Sequence, residues 1–207
     1  MAHLYHIHPE NPQARLISQA ADIIRQGGIV AYPTDSSYAL GCHIGDAKAL
    51  EKIRTIRQVS DEHNFTLVCA DLSELSKYAK VSNQDYRLLK RFTPGAYTFI
   101  LPATREVPKR LQHPKRKTIG LRVPEYPIVS ALLTELGEPI MSSTLWLKGD
   151  DFPLNDIDEM NERIGHQIDL IIDAGPCDIT PTTVVEINDG KVKLIREGKG
   201  DPSVFSE

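Results

Sequence analysis

The feature that most constrains this chain is an alternation of helix-periodic stretches, each ended by a helix-breaking residue, with short, wholly apolar runs. In the first such unit Leu16, Ala20, Ile23 and Ile24 form a helical stripe, and Gly27-Gly28 ends it. The run Ile29-Val30-Ala31-Tyr32 that follows is too short for a helix and too apolar for a surface strand, so it reads as a buried strand. Asn11 is expected to cap this helix, with Pro12 at its first position. A second helix is predicted from Asp46 to about Arg57, with Ala49, Leu50, Ile53 and Ile56 inward. Ser82 and Asp85 make an S-x-x-D capping signature, and a further helix spans about 126–136 before Gly137.

Strands are predicted at 65–69, 97–101, 118–123, 139–142, 168–172, 183–187 and 191–196. The last two flank Asn188-Asp189-Gly190, residue types that favour a tight hairpin. The alternation predicts an α/β fold, a single-domain twisted mixed sheet with flanking helices. With no repeat, linker or low-complexity tract, residues 1–207 are expected to form one domain. Cys42, Cys69 and Cys177 are too few and too scattered for a disulfide framework or a cysteine-built zinc site, which suits a reducing, cytoplasmic setting. The N-terminus has no secretory pattern and no apolar run is long enough to span a membrane, so no membrane partner is expected.

Charge is unevenly spread. The net charge is −4, yet residues 87–122 hold ten Lys/Arg against the single acid Glu106, a block of +9 within a remainder of −13. Such a block fits one nucleic-acid-binding face, or a solvated surface with counter-charges nearby in space. Lys109, Arg110 and Lys115-Arg116-Lys117 are expected on an exposed loop, while Arg122, alternating with Leu121 and Val123, would project into a cleft. Tyr86, Phe92 and Tyr97 interleave with the basic residues and would permit base stacking; Phe99 is expected in the core.

No P-loop, G-x-G-x-x-G, H-E-x-x-H or G-x-S-x-G occurs. His6 and His8 alternate as on one strand face, a weak metal pattern, and no metal site is assigned. The acidic stretch 150–173 lacks calcium-loop spacing and reads as a solvated helix face. Three hydroxyl-rich loops stand out at strand edges: Thr34/Ser36/Ser37, Ser142/Ser143/Thr144 and Thr180/Thr182/Thr183. Turn chemistry explains each singly. Together with Arg122 and Arg196 they suit an anion pocket.

The blocks GGIVAYPTDSSYALGC, KIRTIRQVSDEHNFTLVC, TPGAYTFILPA, TIGLRVPEYPI, GEPIMSST and PTTVVEI with KLIREGKGD resemble, in order and spacing, the YrdC-like domain, and the wording RQVSDEHNFTL and REGKGD is most similar to its YciO-type branch. The resemblance covers about residues 12–200. It implies a twisted α/β fold with a basic concave groove. The family's threonylcarbamoyl-AMP synthases join L-threonine, bicarbonate and ATP in the N6-threonylcarbamoyladenosine modification of tRNA; other members bind double-stranded RNA. By position the resemblance implies a nucleotide and amino-acid pocket of Thr34, Arg57, His63, Arg122, Ser142, Thr144, Thr182 and Arg196. ATP, accompanied by Mg2+, would be the nucleotide, with no permanently bound cofactor. Two synthase pairs are altered: Lys-x-Arg reads Arg57-Gln58-Val59, and Ser-x-Asn reads Thr144-Leu145-Trp146.

Two functions are therefore expected. The favoured one is binding of double-stranded or structured RNA, tRNA included, through a groove carrying Lys52, Arg54, Arg91, Lys109, Arg110, Lys115, Arg116 and Lys117, with an altered or weak synthase site. The other is an active threonylcarbamoyl-AMP synthase, supported by the retained Thr34, Arg122, Thr182 and Arg196.

Overall fold

A computed structural model describes residues 1–205. In chain order the elements are β1 (His3–His6), α1 (Ala14–Arg25), β2 (Val30–Tyr32), β3 (Ala39–His43), α2 (Ala47–Arg57), β4 (Thr66–Val68) and α3 (Leu72–Tyr78). They continue with α4 (Asn83–Phe92), β5 (Tyr97–Pro102), β6 (Thr118–Arg122), α5 (Pro127–Leu136), β7 (Ile140–Thr144), α6 (Ile157–Ile164), β8 (Leu170–Asp173), β9 (Thr183–Asn188) and β10 (Lys191–Arg196). All the strands join one ten-stranded mixed sheet in the order β1-β8-β2-β3-β7-β4-β6-β5-β9-β10. The predicted mixed α/β architecture is the one observed.

The central strands are buried on both faces, which is why Ile29–Tyr32 carries no polar alternation. One face packs Leu40, Leu67, Leu121 and Phe99 against Leu50 and Ile53 of α2, Leu75 of α3, Leu89 of α4 and Met160 of α6. On the other face Tyr32, Val68, Ile140 and Leu170 meet Ile17, Ala20 and Ile24 of α1 and Ile128, Val129 and Leu132 of α5. Helices α1 and α5 cover only part of this second face. Beyond them lie Thr66, Thr98, Gly120 and Thr182, and there the candidate site opens.

The caps follow local chemistry. Asp46 accepts from the Ala49 amide, starting α2 where predicted, and Gly137 ends α5 at φ +71°. Asn11 does not cap α1. His8 Nδ1 accepts the amides of Glu10 (3.1 Å) and Asn11 (3.0 Å), winding 8–11 into a turn, so α1 starts at Ala14 without a side-chain cap. His8 therefore lies outside β1 and does not share a strand face with His6, which sits 3.1 Å from Asp173. Ser142, Ser143 and Thr144 form strand β7, paired with β3 and β4, and not a loop. The acidic stretch is helical only over Ile157–Ile164 and then enters β8. Phe92 and Tyr97 pack against each other and against Phe205, so neither ring is free to stack on a base, while Tyr86 is exposed.

Ser82 caps α4 as its signature predicts. Asp85 turns elsewhere: its Oδ1 accepts the Gly190 amide at 3.0 Å, tying α4 to the β9–β10 hairpin, whose turn holds Asp189 and Gly190 at positive φ. After β10 the chain passes back over β9. Thr183 Oγ1 accepts from the Gly198 amide and donates to the Gly200 carbonyl. A Cβ on Gly198 would stand 2.4 Å from backbone atoms of Pro181 and Thr182, so only glycine fits there. Asp85 is almost wholly buried, at 2% exposure. Asp85→Ala should remove a charged acceptor, leave the Gly190 amide unpaired, and lower unfolding free energy by about 1.5–3 kcal/mol, measured by urea titration.

Candidate functional site: an arginine-lined cleft

The uncovered sheet face forms the floor of a cavity of about 250 Å3. Thr66, Thr98 and Gly120 lie on the floor, Thr182 and Arg196 on one side, and Arg57, His63, Ser143, Thr144 and Trp146 on the other. Gly120 keeps the floor low, since a Cβ there would come within 2.9 Å of Thr66 Oγ1. A smaller recess continues from it, bounded by Ser37, Ser142 and Arg122 and sharing Thr98, Ser143 and Thr182 with the main cavity.

Arg57 is the last residue of α2, delivered to the cleft margin because Gln58 ends the helix in the left-handed conformation. Its Nε donates to the Trp146 carbonyl (3.1 Å) and its Nη1 to Ser143 Oγ (2.6 Å) and to His63 Nε2 (3.4 Å). A guanidinium can only donate, so His63 accepts at Nε2 and carries its proton on Nδ1. Burial first, then the charges of Arg57, Arg54 and Arg196, push the His63 pKa down to about 4. Across the cavity Arg196 donates from Nε (3.1 Å) and Nη2 (2.8 Å) to the Thr182 carbonyl, and from Nη2 to Thr182 Oγ1 at 3.3 Å. That hydroxyl shares a 2.7 Å hydrogen bond with Thr98.

Burial also depresses both arginines. Arg57 falls to about 10, with the charge of Arg196 as the second cause, and Arg196 is lowered by burial. No carboxylate is among the lining residues of either the cavity or its recess. Two half-buried cations thus share one enclosed volume without a counter-charge inside it. Such a site favours a bound anion.

Arg122 is more fully spent. It forms an ion pair with Asp35 through Nη2, and its Nη1 donates to Ser36 Oγ at 3.2 Å. Its Nε is buried with no hydrogen-bond partner among the described residues. Asp35 also accepts the Glu125 amide (2.9 Å), and Lys199 Nζ donates to the Asp35 carbonyl. Thr34 lies in this loop but lines neither space: its hydroxyl donates to the Ser37 carbonyl at 2.6 Å and accepts the Ser36 amide at 3.1 Å, shaping the turn. Ser142 reaches the recess and bonds the buried Tyr32 hydroxyl at 2.7 Å. Of the pocket residues expected from sequence, the main cavity gathers Arg57, His63, Thr144, Thr182 and Arg196, while Arg122 and Ser142 bound only its recess. Asn64, Thr66, Thr98 and Ser143 also line it. Their chemistry is visible in sequence, but their convergence comes from strand order. Val59 packs against the hydrophobic core and does not line the cavity; Trp146 lines it, anchored by Nε1 donating to the Asp150 carbonyl at 2.9 Å.

The groove cations differ among themselves. Lys115 pairs with Glu62, Arg116 lies 3.6 Å from Glu186, and Arg110 donates to the Gly45 carbonyl. Arg54 stacks over Phe65 at 4.7 Å and sits 3.6 Å from Asp61. Arg91 lies over Phe92, and Lys52, Lys109 and Lys117 are exposed. Among the described residues no helix is long and apolar enough to cross a membrane, and no group of three or more His, Cys, Asp or Glu could hold a metal.

A family model described as Sua5/YciO/YrdC, telomere recombination, matches residues 22–198. The chain is 54% identical over 205 residues to the uncharacterized protein YciO of Escherichia coli K12, covering 99% of this chain and 100% of that one. The crystal structure of E. coli YciO superposes with a TM-score of 0.96, again covering 99% and 100%. The threonylcarbamoyl-AMP synthase of Vibrio vulnificus YJ016 is 30% identical over 159 residues, 75% of this chain and 84% of the synthase. The P. abyssi Sua5 structure complexed with L-threonine has a TM-score of 0.85 at 27% identity, covering 94% of this chain and 57% of that one. The chain therefore belongs to the Sua5/YciO/YrdC family, as a YrdC-like protein of the YciO type.

The depressed His63 pKa sets a titration test. In the unfolded chain His63 titrates near 6.5, so the folded state binds fewer protons between about pH 6.5 and 4, and stability falls as pH drops through that window. In an NMR titration the His63 ring should have its midpoint near 4, and Arg57→Ala should raise that midpoint by removing a neighbouring charge.

Proposed function

We propose that the cleft binds a nucleoside triphosphate together with a small amino acid and performs adenylation of the threonylcarbamoyl-AMP synthase type. Residues 1–207 act as a single unit in this reading. The observation that carries it is the pair of half-buried arginines, Arg57 and Arg196, facing a carboxylate-free cavity whose walls bear Thr98, Ser143, Thr144 and Thr182. The cavity's volume of about 250 Å3 lies just below the roughly 300–1,000 Å3 usual for small-molecule sites, and the recess beside it adds to the space. The arginines line an enclosed cavity, which suits a triphosphate tail better than the backbone of a duplex. The L-threonine in the P. abyssi Sua5 structure and the name of the V. vulnificus relative support the same chemistry.

In that chemistry the threonine amine and bicarbonate form a carbamate with loss of water. A carbamate oxygen then attacks the α-phosphorus of ATP, and the bond to pyrophosphate breaks. The role of the chain is positioning and charge stabilisation. Arg57 and Arg196 would hold the phosphate oxygens, the hydroxyls would orient the reactants, and His63, kept neutral, adds no charge that would trap the product. Magnesium would enter as part of the ATP substrate, since no cavity carboxylate is available to hold it. Trp146 supplies a flat apolar wall that narrows the choice of acceptor.

A second reading, RNA or tRNA as partner, is supported by the exposed Lys52, Lys109 and Lys117 beside the less free Arg54, Arg91, Arg110, Lys115 and Arg116. The two are compatible, because an enzyme in tRNA modification benefits from a basic margin.

Pyrophosphate release with ATP, L-threonine and bicarbonate tests the first reading. Arg196→Ala should lower kcat/KM about a hundredfold or more, the usual effect of removing a transition-state charge contact. Trp146→Asn should raise it. Absence of both turnover and calorimetric binding of ATP or threonine to the unaltered protein would reject the reading.

A further inference from the structure

We infer that the loop joining β5 to β6 carries a second anion site, separate from the cleft, that holds closely spaced phosphate groups; as a site for RNA it rests on the second reading above, which already draws on Lys109 and Lys117. The loop borders a hollow of about 800 Å3 lined by Lys80, Arg105, Lys109 and Lys117, with Ala103 and Val107 below. It shares no lining residue with the arginine cleft or its recess. Lys80 follows α3, far in sequence from the other three and outside the basic block, and is brought there by the Ala79–Ala103 bridge.

Neutralisation of the neighbouring cations marks this group out. In the same loop Lys115 has Glu62, Arg116 has Glu186 and Arg110 has the Gly45 carbonyl. Among the described residues the four cations of the hollow form no ion pair, and no acid lines it. Four adjacent like charges repel one another, and a chain with more acidic than basic residues has carboxylates enough to quench them. Leaving all four unpaired suits an external polyanion.

The loop is also held in place, unlike a freely solvated one. Buried His113 accepts the amides of Lys115 (3.3 Å) and Arg116 (3.1 Å) at Nδ1, and its carbonyl accepts the Lys117 amide at 2.9 Å. Thr104 Oγ1 donates to the Lys77 carbonyl (2.7 Å), and Gln112 Nε2 to the Val107 carbonyl (2.9 Å). Lys117 stands at φ +57°, a left-handed conformation unfavourable for a lysine, and its carbonyl receives the Ala103 amide at 3.0 Å. The backbone that carries Arg105, Lys109 and Lys117 is thus fixed, which removes the loop's share of the ordering entropy of binding. Phosphodiesters of an RNA strand and the phosphates of a free polyphosphate present the same chemistry to it.

The test uses the full chain, 15N-labelled, titrated separately with an RNA hairpin and with tripolyphosphate, following amides of Thr104, Arg105 and Gln112 beside those of Thr182 and Arg196. RNA binding should shift the first group, and the Lys80→Gln/Arg105→Gln double variant should weaken it roughly tenfold at low salt and flatten the salt slope by about two. The charge-preserving Lys80→Arg/Arg105→Lys variant should retain both, which separates loss of charge from loss of fold. A response to tripolyphosphate alone upholds the site and assigns it to a free polyphosphate. Shifts confined to the cleft amides, or an affinity and salt slope unchanged in the Gln variant, would overturn the site while leaving the cleft reading intact. No response to either ligand at low salt would overturn it too.

Discussion

The ion pair between Arg122 and Asp35 is the contact on which the site's geometry rests. Arg122 ends β6 in the middle of the sheet, and Asp35 lies in the connection between β2 and β3. Together they hold that connection over the sheet, with the Glu125 amide and Lys199 fastened to the same aspartate. Removing either partner would leave a buried charge uncompensated, a change that commonly costs 3–5 kcal/mol. The loop of Thr34, Ser36 and Ser37 would lose its anchor with it. Arg122 thus frames the recess, and the less encumbered Arg57 and Arg196 face the open volume.

Much of the fold was legible in sequence because burial leaves simple marks. Ala49, Leu50, Ile53 and Ile56 repeat at helical spacing and all four are buried. Asn188-Asp189-Gly190 carries the residues that tolerate positive φ, and the hairpin is there. Strand β3 escaped notice because Ala39, Leu40, Gly41 and Cys42 are buried on both faces and show neither period. Helix α3 is seven residues long, too short to show a stripe. Asn11 was a sound cap by residue type, and lost to His8, whose ring took the local amides first.

For the site, residue chemistry could be read and convergence could not. The hydroxyls at 142–144 look like a turn until two neighbouring strands claim their backbone. Thr34 looks like a ligand contact, yet its hydroxyl is used within its own turn. The +9 block proved to be several things: a framework arginine, cations matched by Glu62 and Glu186, Arg110 on the Gly45 carbonyl, three cations on α4, and Arg105, Lys109 and Lys117 around the hollow. A charge count along the chain cannot separate these, because the matching acids come from other elements.

The strap after β10 bears on how the protein is made. Thr183 is clasped by Gly198 and Gly200, and Thr182 beside it holds Arg196, so one wall of the cleft comes from residues 182–200. The opposite wall, formed by Arg57, His63, Ser143, Thr144 and Trp146, is synthesised before it. Strand β9 must then insert beside β5, a long-range pairing that forms late and slowly. Until residues 182–200 dock, Arg57 and Trp146 on the facing wall stand uncovered, and the cleft becomes a closed site only when this segment is seated.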